Sequence, residues 1–429
     1  MIKKDGLKYF TYVTLALLYL AAICFAGPRE LASGLRSLIL CRDALITDYF
    51  ELVGYGPAFL NAALVMTLSM IMIEHAELPY TGLTIAAVFI NTGFGFWGKN
   101  FVNILPIHFG TMLYAKAHHT SMSRYTYTAL FATCLSPFVT ELTYILPFGM
   151  WGNLGVAILA GLFMGYVLPP LSQHTASMHM GYSLFNVGFS GGILAFVLFC
   201  VLKSFGISSE PVFIWKAERH MGLLVGVFVY LAAAFVLGWY MNEWKFKNLR
   251  KLIKHPGRAV ADFVLLDGPG VTLMNMSLTG GAALVYAMLV GGDFSGPVLG
   301  CLFTVFGFAA FGAHIRNYLP VLAGVFLATM ITHYSPGEAG MLIAAFFVVG
   351  IAPIAGQFGP IWGIIAGMLH ACIVMCTSLM YGGLNLYNNG FSCGWVAIIM
   401  VPVIESFMHG YEVRKMKRKA KKEQKVHDS

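Results

Sequence analysis

A single carboxylate stands in an unexpected place. Glu141 lies in LSPFVTELTYILPF, about midway along an apolar stretch, where an ionisable group costs about 2.5–3.5 kcal/mol on insertion scales. A residue kept at that cost either carries a proton or cation or pairs with a basic group. The matching position further along the chain is Gln357, in IAPIAGQFGPIWG. A carboxyl in one place and an amide in its counterpart is the pattern of a coupling site that duplicated and diverged.

The other polar candidates also come in pairs. Residues 184–192 read LFNVGFSGG and residues 386–394 read LYNNGFSCG, with six of nine positions identical. Asn186 and Asn388 each offer a carbonyl acceptor and an amide donor to a solute. Gly188 and Gly390 permit kinks or close helix approach, and Phe189 and Phe391 would supply apolar walls. Packing of small residues accounts for the same phrases without any solute. The turns after Gly98 and Gly312 read KNFVN and AHIRN, so Lys99, His314 and Arg316 bring positive charge to equivalent places, beside Asn103 and Asn317. If these turns join half-helices inside the membrane, they favour an anionic or carbonyl-bearing solute. If they lie at the surface, the charges reach lipid phosphates. Asn61 and Asn275 form one more matched pair.

Enzymatic signatures are missing from the sequence. It holds no H-E-x-x-H, no G-x-x-x-x-G-K-[ST] and no serine nucleophile elbow. His174 and His179 are five apart, off the spacing that places two ligands on one helix face, and eight cysteines include no C-x-x-C. No catalytic residue, metal or cofactor is expected. A lipid-directed enzyme built on Glu141 and a histidine from 174–179 is the competing reading, and a non-transporting scaffold or sensor is another.

Composition identifies what positions these residues. Of 429 residues, 58% are hydrophobic and 11% charged, against roughly 25% charged in soluble domains. Several runs approach the roughly 20 apolar residues that cross a bilayer as a helix, and the alternation of a membrane barrel is absent. An all-α integral membrane protein follows, because the backbone in lipid must satisfy itself.

The chain is also written twice. A shift of 214 residues aligns 54–113 with 268–327 without a gap, and fourteen of sixty positions agree, among them Gly93/Gly307, Asn103/Asn317 and Pro106/Pro320. The register continues through Pro137/Pro353 to the doubled phrase. Seventeen of the 27 basic residues fall at Lys3–Lys8, in the linker 242–258 and in the tail from Arg414 to Lys425. Such clusters mark the cytoplasmic side, which puts both termini there and inserts the two copies in opposite senses. The expected fold is two inverted repeats of about six membrane segments each, some readable as re-entrant half-helices, plus two extra spans. The expected segments are a first span at 1–27, an extracytoplasmic mixed-charge stretch at 28–51 and repeat 1 at 52–203. A loop and connecting span at 204–241 and a basic linker at 242–262 lead to repeat 2 at 263–408 and the tail at 409–429.

The paired N-x-G-F-S phrases, the length and the duplicated layout resemble a family of bacterial inner-membrane proteins known as a domain of unknown function. That resemblance implies membrane location and duplication and supplies no substrate. Inverted repeats place solute sites at the repeat interface, so a secondary transporter or channel for a small polar solute is expected. The tail is expected at membrane lipid rather than nucleic acid, and a homo-oligomer is compatible with all of this.

Overall fold

The computed structural model describes residues 2–427, with side chains over 5–410. The orienting charges at Lys3, Lys4 and Arg414–Lys425 therefore lie outside the described side chains. The first copy opens with α1 (Ile2–Phe25), a surface helix α2 (Pro28–Ile39) and the short α3 (Tyr49–Val53). After it come α4 (Tyr55–His75), α5 (Gly82–Phe94) and α6 (Leu105–Ala117). The next crossing is broken by a 3₁₀ turn at Thr133–Leu135 into α7 (Thr126–Ala132) and α8 (Ser136–Ile145), and α9 (Gly149–Met178) and α10 (Asn186–Ser204) close the copy.

The second copy repeats this order. α11 (Met221–Met241), α12 (Lys247–Leu252) and α13 (Phe263–Asp267) lead into α14 (Pro269–Leu289), α15 (Gly296–Phe308) and α16 (Ile315–Ile331). α17 (Ala339–Phe347) and α18 (Ala352–Phe358) are the broken crossing, interrupted at Val348–Ile351, before α19 (Pro360–Thr377) and α20 (Asn388–His427). The breaks sit just before Pro137 and Pro353, which cannot donate to the helical ladder. The two spans expected outside the repeats, α1 and α11, occupy equivalent places and open their respective copies.

Among the described residues, ten helical segments are long and apolar enough to cross a bilayer, five in each copy. Five is odd, so the second copy enters from the face opposite to the first. Inversion follows from that count. α1 begins and α11 ends on one face, since Gly6 packs against the Met241 side chain and Lys8 meets Glu74 at the end of α4 at 2.9 Å. We call this the linker face. The outward sides of α9 and α11 carry Leu159, Phe163, Phe228 and Val229 exposed, as lipid contact requires.

α5 and α15 do not cross. Each has 13 residues, about 20 Å at 1.5 Å per residue, shorter than the roughly 30 Å hydrocarbon core. α6 returns to the face that α5 left, because Ser121 and Met122 beyond α6 share one cavity with His75 and Glu77 at the end of α4. α16 does the same, with Gly337 beyond it resting on the Val290 carbonyl. These are re-entrant hairpins.

The two hairpins meet at the centre, where α5 and α15 lie antiparallel. A Cβ added at Gly93 would collide with the Gly300 carbonyl oxygen, and the symmetry-related contact brings Gly307 to Ala86. Each hairpin is capped by the other copy. Asp262 Oδ1 accepts Gly82 N at 2.9 Å, and Asp48 Oδ1 accepts Gly296 N at 3.1 Å. Both pairs stand 214 residues apart, so one exchange is made twice around a pseudo-twofold axis.

This exchange predicts matched losses. Asp48→Ala and Asp262→Ala each orphan buried amides of the opposite copy and are expected to cost about 1–3 kcal/mol. Thermal unfolding of the purified protein in detergent should show two depressed midpoints of similar size.

Candidate functional site

Two cavities of ≈ 430 Å³ each flank the axis. One opens on the linker face and is bounded by Tyr127, His179, Ser183, Asn186, Ala259 and Phe311. The other opens on the far face, bounded by Ile46, Trp97, Trp215, Asp293, Glu338 and Asn388. Trp97 and Phe311, like Asn186 and Asn388, are counterparts, so the cavities are one design used in two orientations. The partition between them is thin. Leu386 faces the far cavity and Tyr387, its neighbour, faces the linker-side cavity.

The partition is made of unwound chain. Residues 179–185 and 382–387 precede α10 and α20 as irregular backbone, which is tolerated at membrane depth only where protein or a cavity receives its polar groups. The broken crossings receive them: Leu184 N donates to Gly350 O at 2.8 Å and Leu386 N to Cys134 O at 2.9 Å. Each bond joins one copy to the other. Just beyond, the doubled phrases cross glycine to glycine, with a Cβ at Gly188 falling 3.1 Å from Gly390 Cα. Phe189 and Phe391 stack over the crossing at 6.1 Å. The repeated phrase thus exists to let α10 and α20 touch backbones.

Its asparagines do not meet across the axis. Asn186 Oδ1 accepts from Thr175 and lies 2.9 Å from His179 Nε2, while its amide reaches Ser172 O. Asn388 Oδ1 accepts from Thr377 and from the Tyr381 hydroxyl, and its amide reaches Val374 O. Each ties α10 or α20 to the preceding helix and borders its own cavity. Asn61 donates to Gly95 O and Lys99 O, and Asn275 to Ala309 O and Ala313 O. These two clamp the hairpin tips, with their amide hydrogens used there rather than turned to a solute.

The tips hold most of the remaining candidates. Asn103 accepts from Asn100 N and donates to Asp43 and Thr140, whereas Asn317 accepts from His314 N and donates to Gly312 O. His314 caps α16 and touches His255 O, and Arg316 is exposed. The coupling pair expected at Glu141 and Gln357 is not assembled as a free carboxyl and amide. Arg42 holds the fully buried Glu141 at 2.6 Å, Ser209 adds a bond, and Gln357 is exposed. Nor does Glu141, on the far side, come near His179 on the linker side.

Lys99 carries the strongest signal. It is fully buried at the tip of the first hairpin, and among the described residues no carboxylate lies within ion-pair distance. Its Nζ donates to Asn91 Oδ1 at 2.7 Å and Thr133 Oγ1 at 2.6 Å. The rings of Phe94 and Tyr387 each have their centroid 5.5 Å away. A lysine charged in such a place is costly without a counter-ion.

The chain matches the family described as "Protein of unknown function (DUF1576)" twice, over residues 27–204 and 241–406. It belongs to that family. The two matched stretches begin 214 residues apart and each covers one copy without its opening span. Comparisons with curated proteins and with solved structures give no match.

The two copies differ in chemistry where Lys99 sits. Lys99, Asn91 and Thr133 of the first copy correspond to Ala313, Val305 and Val349 of the second, and Tyr387 of the second corresponds to Phe185 of the first, so the copies jointly build one polar cluster whose symmetry-related counterpart is apolar. A second such difference is His370 with Asn389 at 3.1 Å, where the first copy has Leu168 and Val187. Matching identities between the copies drew attention to structural residues. The signal for the site was the opposite one, polar against apolar at aligned positions.

Gly390→Val places methyl groups inside the Gly188 contact and is expected to cost about 3 kcal/mol or more. Gln357→Ala, on an exposed side chain, should stay within about 0.5 kcal/mol of the parent. Midpoints from the same unfolding assay check both.

Proposed function

We propose that the protein is a secondary transporter that carries a small polar solute by alternating access. One observation carries the reading: two equivalent cavities reach a shared partition from opposite faces, and an uncompensated lysine lies buried at that partition. Inverted copies with discontinuous segments suit such a cycle. Because the two copies are equivalent, tilting them in one sense would close one cavity and tilting them in the opposite sense would close the other, at similar cost. A channel needs a continuous path, and the Gly188–Gly390 crossing with Tyr387 and Leu386 fills it in this conformation.

The basic clusters support, by the positive-inside rule, a cytoplasmic linker face with cytoplasmic termini, and the setting we propose is a bacterial inner membrane. Membrane lipid is the surrounding partner. The lipid-directed enzyme is the weaker reading, since its acid and histidine stand on opposite sides of the protein.

Proteoliposomes tested with a panel of labelled small solutes should show saturable uptake that speeds up when unlabelled solute is preloaded inside. Preloading acceleration belongs to carriers. Uptake that rises without saturation and ignores preloading would indicate a channel, and no uptake of any polar solute would remove the transport reading.

A further inference from the structure

Resting on the transport reading, we infer that Lys99 is the anchor for the negative group of the solute, which makes the solute class a small organic carboxylate. The argument begins with the donors of an ammonium, which number three. Asn91 and Thr133 take two of them, and the third has no acceptor among the described residues, only the rings of Phe94 and Tyr387. The single hydroxyl hydrogen of Thr133 is shared between Leu130 O at 2.7 Å and Asn91 Oδ1 at 2.9 Å, which holds its oxygen in place as an acceptor for the lysine.

A second group points the same way. The Tyr387 hydroxyl is buried and has no hydrogen-bond partner among the described residues, and its residue lines the linker-side cavity. Its ring also lies 5.5 Å from Lys99 Nζ, so the same side chain touches both the cavity and the lysine. A carboxylate with one oxygen on Nζ and another on the Tyr387 hydroxyl would satisfy both unfilled donors at once. Swinging the Tyr387 ring is the motion that joins the cavity to the lysine.

The surroundings select for an anion. Among the described residues the linker-side cavity has no Asp, Glu, Lys or Arg in its wall, so no carboxylate of the chain competes for Lys99. The far cavity is bordered by Asp293 and Glu338, of which Asp293 already accepts from Trp215 Nε1. A structural lysine would be expected to pair with a carboxylate or a backbone carbonyl. The second copy builds the same hairpin tip with Ala313, so the fold does not need an amine there.

The test is a thermal-shift series on the full chain in detergent, with acetate, malonate, succinate and citrate, each compared with its neutral amide. At least one carboxylate should raise the midpoint where its amide does not. Lys99→Met should stay folded and bind that carboxylate about 10–100-fold more weakly. Tyr387→Phe, which copies Phe185, should weaken it about 3–10-fold with an unchanged unliganded midpoint. No shift with any carboxylate, equal shifts with acid and amide, or an unchanged affinity in both variants overturns the assignment. Binding through Lys99 without flux in proteoliposomes would keep the anchor and remove the transport reading. Carrier-type flux of a neutral solute untouched by Lys99→Met would do the reverse.

Discussion

Water is absent from the hydrocarbon layer, so any backbone group released from a helix there needs a partner within the protein. This chain releases such groups repeatedly, at two broken crossings, two hairpin tips and two unwound segments. It resolves them by exchange between copies. Leu184 binds Gly350 and Leu386 binds Cys134, while Asp48 and Asp262 cap each other's hairpins. The unwound segments and the hairpin starts of each copy are satisfied by the other, while Asn61 and Asn275 clamp the tips within their own copies. The pseudo-twofold axis is therefore a requirement of hydrogen bonding, and the two cavities follow from it, because the same unwound segments form their common floor.

Symmetry and chemistry have separated in this molecule. The matched residues hold the scaffold: Asn61 and Asn275 clamp tips, Asn186 and Asn388 tie helices, and Gly188 and Gly390 let two helices cross. The unmatched residues lie in the partition, where Lys99, Asn91, Thr133 and Tyr387 replace Ala313, Val305, Val349 and Phe185. A scaffold with equivalent halves has two conformations of similar energy. On the transport reading, a polar cluster with an apolar counterpart across the axis offers a solute a single place to bind in both of them.

The fold was largely legible in the sequence, because apolar run length and the 214-residue repeat are properties of composition and spacing alone. The re-entrant character of α5 and α6 was open at that level, since a tight turn between short crossings reads the same as a hairpin tip. Its resolution lies in the return of the chain beyond α6 to the end of α4, where Ser121 and Met122 share a cavity with His75 and Glu77. Glu141 shows the limit for the site. Its depth in an apolar run was readable, but the guanidinium of Arg42 comes from a loop about a hundred residues earlier, and no local pattern announces that pairing. Lys99 was visible as a charge near a turn, and only the burial of that turn gives it meaning.

The central claim is that the two inverted copies present cavities to opposite faces of one membrane. The direct measurement is labelling of single cysteines, Thr128→Cys and Ser378→Cys, each partly exposed on its cavity wall, in a chain whose exposed Cys24, Cys200, Cys372 and Cys376 have been replaced. In sealed vesicles of known orientation, a membrane-impermeant thiol reagent should reach Thr128→Cys only from the linker face and Ser378→Cys only from the other. Labelling of both from the same face would contradict the account.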